Sequence, residues 1–455
     1  KYASASDGFP LSYRLINPCH NAAMHISQHP AFTHLESCLE ATNDPRGAHT
    51  MLRVDADDAR LQLMHALTQH AYPTPPLFGA TVSVKDLFDI AGQVTTAGSP
   101  SRNKCAPATQ DAPALKRLKA AGAVTIGRTN MTEFAFSGIG INPHFGTPHN
   151  PADREVPRIP GGSSSGAAVS VGLGMADIGL GSDTGGSLRI PAALCGLVGF
   201  KSSQNAVPLA GAYPLASSLD TVGAITRDVN QAIAVHQVLS GQAVAHWAKP
   251  VSHLRLGIPS HVHLDDLDAG VGTAWENTLR TLRQAGITLV EVATPALADV
   301  LACQSSAPLV AVEAYAFHRN NLKAPGVTFD PRVKTRIETA ANVSAADYWD
   351  LLSARKRLAV QLAPALQGVD AMISPTVPMV APALADLAPG AAHEEAYLRV
   401  NRLLLRNPST VNFLDGCAIT IPCQEPGQLP VGLMLWQLHG HDSAILGIAK
   451  QLNDQ

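Results

Sequence analysis

Charged residues are few in this chain: they make up 15% of its 455 residues, and aromatic residues make up 5%. The formal net charge is −3, and no basic stripe or block of like charges occurs. Nucleic acid is therefore not an expected partner, because its binding requires clustered Lys and Arg. The hydrophobic share of 46% supports a large buried core and argues against intrinsic disorder.

Cysteine pairs, long apolar runs and leader sequences are also missing. The seven cysteines include no Cys-x-x-Cys pair, which fits reduced thiols in a cytoplasmic protein. No apolar run approaches the roughly 18 residues that a membrane span needs, so no membrane partner is expected. No signal peptide is evident, although the chain starts at Lys1 and a removed leader is left open.

Metal and nucleotide motifs are absent as well. The 18 histidines include no His-Glu-x-x-His motif, and the pairs His144/His149 and His261/His263 lack supporting ligand spacing. We interpret these histidines as solvated or capping residues and predict no metal. No glycine-rich loop ends in Gly-Lys-Ser/Thr, which argues against a nucleotide-binding P-loop. No cofactor is predicted.

Helical and strand patterns alternate along most of the chain. Short apolar patches before residue 75 favour a helical N-terminal segment. The predicted strands are Gly79–Val84, Ala123–Ile126, Asp177–Ser182, Leu254–Ile258, Ile287–Val292, Ala371–Ser374, Ala418–Ile421 and Val431–Trp436. This alternation predicts an α/β fold with a buried sheet. We divide the chain into an N-terminal helical segment, residues 1–75, and one large domain, residues 76–455.

Two serine-rich loops are the most informative feature. The first, Gly161–Gly166, reads Gly-Gly-Ser-Ser-Ser-Gly, and the second, Gly181–Arg189, reads Gly-Ser-Asp-Thr-Gly-Gly-Ser-Leu-Arg. A predicted helix of about 15 Å follows the first loop, and a strand of about 20 Å leads back to the second. We therefore expect Ser163 and Ser187 to face each other.

These loops and an upstream lysine supply the parts that amide cleavage requires. The glycines of the second loop let successive backbone N–H groups point at one spot, where they can stabilise an oxyanion. A serine nucleophile needs a base, and burial beside Val84 and Leu87 is expected to lower the pKa of Lys85 enough for that role. Asp183 and Arg189 flank the second loop, and an ion pair between them is expected to hold it.

The motifs resemble those of the amidase signature family of serine hydrolases. The resemblance runs from about Pro76 to the C-terminus and is densest between Lys85 and Lys201, with weaker matches at Ser218–Gly223 and Leu429–Leu433. It implies a large mixed central β-sheet flanked by α-helices. It also implies that the chain hydrolyses a small or medium amide without a cofactor. The implied partner is that small-molecule amide, and a homodimer is left open.

The resemblance further implies a Ser–cis-Ser–Lys triad. In it, Ser187 is the nucleophile, Ser163 is a bridging serine joined to Gly162 by a cis peptide bond, and Lys85 is the base. The implied oxyanion hole consists of the backbone N–H groups of Thr184, Gly185, Gly186 and Ser187. The substrate-binding candidates are Ala135, Phe136, Ser137 and Gly162, and the supporting candidates are Ser164, Asp183 and Arg189.

Other interpretations are left open. The stretch Gly162–Gly166 also matches Gly-x-Ser-x-Gly, which would make Ser164 the nucleophile of an α/β-hydrolase with a later Asp and a His such as His439 or His441. The A subunit of a glutamine-dependent tRNA amidotransferase has similar triad motifs and would need partner subunits. A non-catalytic binding protein could keep the same fold. Cys195 is interpreted as a buried thiol and not as a nucleophile.

Overall fold

The computed structural model describes residues 29–69, 74–245, 247–306 and 308–454. Within these residues the strands are β1 (Met51–Val54), β2 (Thr81–Lys85), β3 (Val124–Thr129), β4 (Ile178–Asp183), β5 (Val198–Lys201), β6 (Thr221–Thr226), β7 (Arg255–Pro259), β8 (Thr288–Val292), β9 (Ala371–Pro375), β10 (Cys417–Pro422) and β11 (Gly432–Gln437). They form one sheet in the order β1-β3-β2-β4-β6-β5-β10-β11-β9-β7-β8. Strand β2 runs parallel to β3 and β4, whereas β4 and β6 are antiparallel. The sheet is therefore mixed, as expected.

Helices flank this sheet. In the described residues they are α1 (Pro30–Ala41), α2 (Ala56–Gln69), α3 (Pro113–Ala120), α4 (Ser165–Gly172), α5 (Arg189–Cys195), α6 (Val229–Ser240), α7 (Ala269–Gln284), α8 (Pro295–Ser306), α9 (Leu309–His318), α10 (Pro331–Glu338), α11 (Ala345–Leu366), α12 (Glu394–Phe413) and α13 (Asp442–Asn453). Every residue of β2, β3 and β4 is buried, because neighbouring elements cover both faces of these strands.

Helix α4 packs unusually closely on the sheet because small residues face each other there. A Cβ atom at Gly179 of β4 would lie 2.7 Å from the carbonyl oxygen of Ala167, which is too close for any side chain. The small residues of the first serine loop and its helix therefore have a packing role. Near the other end of the strand, a Cβ atom at Gly181 would lie 2.9 Å from Oγ of Ser164, so the first serine loop lies beside the end of β4.

The strands predicted from the sequence are all present, within three residues at each end. The described part of the N-terminal segment contains two helices, α1 and α2, as expected. It also contains β1, which we did not predict and which pairs antiparallel with β3 at the edge of the sheet. Residues 1–28 lie outside the described residues, and the boundary between residues 75 and 76 stays a prediction.

One helical stretch, Pro295–His318, is long and apolar enough by length and composition to cross a membrane. We did not single it out from the sequence. In the structure it comprises α8 and α9, whose residues Leu297, Val300 and Leu309 belong to a buried core cluster. Core helices of soluble proteins pass the same test, so the stretch is weak evidence for a membrane span.

Candidate active site

The first element of the site is the buried lysine at the end of β2. The Nζ atom of Lys85 donates hydrogen bonds to Oγ of Ser163 at 2.8 Å and to Oγ of Ser182 at 2.9 Å. The side chains of Lys85 and Ser163 are both fully buried. The peptide bond between Gly162 and Ser163 is cis. The structure thus brings the predicted base and the predicted bridging serine into direct contact.

Burial sets the protonation of Lys85. Removal from water disfavours its charged form and lowers its pKa to about 7, although the carboxylates of Asp183 and Asp220 act in the opposite direction. A lysine with this pKa is neutral in a large fraction of molecules at neutral pH. Only the neutral amine has a lone pair that can accept a proton, so Lys85 is suited to act as a base.

The second serine loop connects β4 to α5 and is held by a buried ion pair. Asp183 and Arg189 are fully buried, and Nε and Nη2 of Arg189 each donate a 3.0 Å hydrogen bond to the Asp183 carboxylate. Nδ2 of Asn412 donates to the same carboxylate at 2.8 Å. Burial alone would raise the pKa of Asp183, but Arg189 and the other donors hold it well below its usual range. The expected ion pair is present.

The backbone N–H groups of this loop differ in what they contact. Gly186 was expected to direct its N–H group at the substrate, but that group donates to Oδ1 of Asp183 at 2.8 Å. Within the described residues, Thr184, Gly185 and Ser187 donate no backbone hydrogen bond to the protein. These three N–H groups are therefore free to bind a developing oxyanion, and Gly186 is the exception among the four predicted donors.

Gly186 is nevertheless required for the shape of the loop. Its φ angle is +126°, a conformation that side chains rarely adopt. A Cβ atom at this position would lie 2.7 Å from Cδ1 of Ile190 and 2.7 Å from Cβ of Pro408. Glycine at position 186 therefore allows the turn between Gly185 and Ser187.

The two serine loops contact each other as expected, while the facing of the Ser163 and Ser187 side chains stays a prediction. The backbone N–H of Ser164 donates to the carbonyl oxygen of Ser187 at 3.3 Å. Ser187 lines a cavity of about 620 Å³ together with Thr184 and Gly185. Neither Ser163 nor Ser164 is among the residues that line it. Ser187 is thus the serine of the two loops that a substrate in this cavity would meet.

Three of the four predicted substrate-binding residues, Ala135, Phe136 and Ser137, line the same cavity. Oγ of Ser137 donates to Oδ1 of Asn401 at 3.0 Å, which fixes this segment against α12. The fourth, Gly162, does not line the cavity. Its N–H donates to the carbonyl of Gly138 at 2.8 Å, and the backbone of Gly140 would lie 2.7 Å from a Cβ atom there. Gly162 therefore lies behind the wall, where its small size permits close packing.

Comparison with known proteins places this chain in a family. The model of the family described as Amidase matches residues 34–446. The chain belongs to the amidase family. The match begins well before Pro76, the N-terminal limit of the resemblance seen in the sequence. Members of this family hydrolyse carbon–nitrogen bonds other than peptide bonds, and the chain is an enzyme of this type.

Among its relatives is a 2-amino-5-chloromuconic acid deaminase from Comamonas testosteroni, which is 35% identical over 380 residues that cover 82% of this chain and 81% of the relative. The A subunit of a glutamyl-tRNA(Gln) amidotransferase from Akkermansia muciniphila is 34% identical over 412 residues, which cover 82% of this chain and 85% of that protein. A solved amidase structure superposes with a TM-score of 0.84 at 30% identity, covering 96% of this chain and 99% of the other.

The structure adds residues to the candidate active site that we did not predict. Asp220 is buried, and its carboxylate accepts hydrogen bonds from Oγ1 of Thr184 at 2.6 Å and from the N–H of Leu215 at 3.0 Å. Burial raises the pKa of Asp220 to about 6. It lies within the weak match at Ser218–Gly223, which was the only signal in the sequence. Ser182 also accepts a hydrogen bond from Lys85 and lies inside the second serine motif. Its residue type alone does not indicate that it contacts the lysine.

One group of residues in the described part of the chain has the composition of a metal site. Donor atoms of His34, Cys38 and Asp177 all lie within 4.8 Å of one another. However, the Asp177 carboxylate already accepts hydrogen bonds from the N–H and Oγ1 of Thr81 and pairs with Arg227 at 3.1 Å. Asp177 precedes β4, whereas the second serine loop follows that strand. The group is therefore separate from the candidate active site, and no step proposed below needs it.

Proposed function

We propose that this chain is a serine amidase that cleaves the C–N bond of a small or medium amide through an acyl-enzyme on Ser187. The observation that carries the proposal is the 2.8 Å contact between Nζ of Lys85 and Oγ of Ser163, in a setting that lowers the pKa of the lysine to about 7. A buried lysine of this kind can accept a proton, and a serine can pass one on.

In the proposed first half-reaction, Oγ of Ser187 attacks the amide carbonyl carbon. Its proton moves to Ser163, while the proton of Ser163 moves to neutral Lys85. The backbone N–H groups of Thr184, Gly185 and Ser187 stabilise the oxyanion. The C–N bond then breaks, and the leaving ammonia or amine takes a proton back through Ser163 from Lys85. Ser187 is left as an ester of the acyl group.

In the second half-reaction, a water molecule attacks the ester carbonyl carbon. Lys85 accepts a proton from this water through Ser163, and the same N–H groups stabilise the second oxyanion. The bond between the acyl carbon and Oγ of Ser187 then breaks, and Oγ recovers a proton. The products are a carboxylic acid and the free enzyme. The relative from Comamonas testosteroni is named as a deaminase, and we propose that ammonia is likewise the product released by this chain.

Ammonia release from a panel of primary amides tests the proposal. The intact chain should release ammonia, and Ser187→Ala should not. The exposed Ser252 provides a matched control, because it lies outside the cavity, so Ser252→Ala should behave like the intact chain. Equal release by the intact chain and by Ser187→Ala would overturn the assignment of Ser187.

A second candidate function is that of an amidotransferase A subunit. Several relatives carry that name, including one from Koribacter versatilis that is 30% identical and covers 90% of this chain. The free-standing amidase is favoured because the chain carries no basic stripe for a tRNA partner. Hydrolysis of simple amides by the purified chain alone would support the amidase. A requirement for added partner subunits would support the second candidate.

Three further properties stay proposals. A cytoplasmic location is proposed because the six cysteines of the described residues are free thiols. A homodimer is proposed as the oligomeric state to test first, by size-exclusion chromatography with light scattering. The esterase with Ser164 as nucleophile is disfavoured because no histidine in the described residues hydrogen-bonds to Ser164.

A further inference from the structure

The cavity in front of Ser187 has an excess of positive charge. Its ionisable lining residues are Arg336, Arg402, Arg406 and Asp266. Three arginines and one aspartate therefore line the cavity, although the chain as a whole has a net charge of −3. The positive charge of the cavity is thus a local feature of the wall. It indicates what kind of molecule the cavity attracts.

Arg336 is the best-fixed of these cations. It belongs to α10, and its Nη1 donates to the carbonyl oxygen of Phe136 at 2.6 Å. Its Cζ atom lies 4.2 Å from the centroid of the Phe136 ring, in a cation–π contact. This is the only hydrogen bond that its guanidinium makes in the described part of the chain, where no carboxylate lies within 4.0 Å. Two contacts therefore hold Arg336 beside the predicted substrate-binding residue Phe136, and most of its donors have no acceptor among the described residues.

Arg406 supplies a second cation, and carboxylates compensate its positive charge only weakly. Its side chain is only 9% exposed, and its nearest carboxylate, that of Asp266, is 3.7 Å away on a side chain that is 79% exposed. The Nη2 atom of Arg406 is buried without a hydrogen-bond acceptor among the described residues. A buried guanidinium donor without an acceptor is unfavourable. Arg406 therefore adds positive charge to the cavity wall, while its Nε donates to Oδ1 of Asn407 at 2.9 Å.

We propose that the substrate is an amide that carries a carboxylate remote from the scissile bond, and that Arg336, assisted by Arg406, binds this carboxylate. The proposal rests on the function proposed for Ser187. A planar guanidinium binds a carboxylate through two parallel hydrogen bonds. Apolar residues of the same wall, including Leu301, Val310 and Leu405, would contact the hydrocarbon between the two groups. The substrate class is therefore the monoamides of dicarboxylic acids.

Binding to an inactive enzyme tests this class without relying on catalysis. Calorimetry with Ser187→Ala would compare the monoamides of malonic, succinic, glutaric and adipic acids with neutral alkyl amides of the same carbon number. At least one acid should bind about 10- to 100-fold more tightly than its neutral partner, as hydrogen bonds to a charged group predict. Adding Arg336→Met should remove that preference, and adding Arg336→Lys should reduce it.

Lys334 provides a matched control on the same helix. It does not line the cavity, and its side chain lies 3.9 Å from Glu338, so adding Lys334→Met to Ser187→Ala should keep the preference for the acids. Equal binding of acids and neutral amides would overturn the inference, as would a preference that survives Arg336→Met. Neutral amides hydrolysed by the intact chain at the same rate as the acids would also count against it, while leaving the role of Ser187 intact.

Discussion

Nζ of Lys85 lies 2.8 Å from Oγ of Ser163, although 78 residues separate them in the chain. The contact exists because β2 ends at Lys85 while the first serine loop lies beside the end of the neighbouring strand β4. Parallel pairing of β2 with β4 brings the two ends to the same edge of the sheet. The fully buried setting lowers the pKa of the lysine to about 7, so its position and its chemistry have the same structural origin.

We expect amide hydrolysis to increase with pH as Lys85 loses its proton. Because the neutral amine is the base, kcat/KM should rise between about pH 6 and 8 with an apparent pKa of about 7. Lys85→Ala should reduce kcat/KM by about 10²- to 10⁴-fold, whereas the exposed Lys104→Ala should not. The apparent value belongs to a set of coupled groups that includes Asp220. A flat pH profile would contradict the assignment of Lys85 as the base.

The buried pair of Asp183 and Arg189 should be critical for stability. Arg189→Met would leave the Asp183 carboxylate buried without its cation, and loss of one partner of such a pair costs about 3–5 kcal/mol. Thermal unfolding would show a large fall in Tm. The exposed pair of Arg46 and Asp44 gives the comparison, because Arg46→Met should leave Tm unchanged. An unchanged Tm for Arg189→Met would show that the ion pair does not hold the loop.

Gly186→Ala should damage catalysis more than folding. A Cβ atom there would collide with Ile190 and Pro408, and the resulting shift would move the N–H groups of Gly185 and Ser187. Loss of one oxyanion donor lowers kcat by about 10²- to 10³-fold, and we expect a fall of this size. Gly272→Ala is the control, because nothing lies within 4 Å of a Cβ atom at that helical glycine. Unchanged kcat in Gly186→Ala would argue against an oxyanion hole in this loop.

Ser164→Ala should be far less damaging than Ser187→Ala. Among the described residues, Oγ of Ser164 makes a single long hydrogen bond, 3.4 Å to the carbonyl oxygen of Ser182, and Ser164 does not line the cavity. Steady-state kinetics on the best amide should therefore show a modest loss for Ser164→Ala and near-complete loss for Ser187→Ala. The opposite ranking would favour a nucleophile elbow centred on Ser164.

Much of the site follows from local sequence. Lys85, Ser163, Ser187 and the Asp183–Arg189 pair all lie in short motifs whose chemistry can be inferred from residue type. The contact between the two serine loops follows from the lengths of one helix and one strand. The predicted strands were right for a similar reason, since buried apolar runs bounded by glycine or proline are a local signal.

The rest depends on which distant segments pack together. Arg336 lies 200 residues from Phe136 in the chain, and Asn401 is 264 residues from Ser137. No periodicity indicates that α10 and α12 wall the same cavity. The N–H of Gly186 was misassigned because the direction of a peptide plane within a loop depends on its acceptor, here Asp183. Strands β1, β5 and β6 were missed. Strand β1 is only four residues long and half exposed, whereas β5 and β6 are buried strands that we did not predict.

Labelling with a fluorophosphonate probe, followed by peptide mass mapping, tests the central claim most directly. Such a probe forms a covalent adduct with an activated serine, so the modified residue identifies the nucleophile. We expect one adduct, on Ser187, with labelling lost in Ser187→Ala and slowed in Lys85→Ala. An adduct on Ser164, or labelling that persists in Ser187→Ala, would contradict the proposed mechanism.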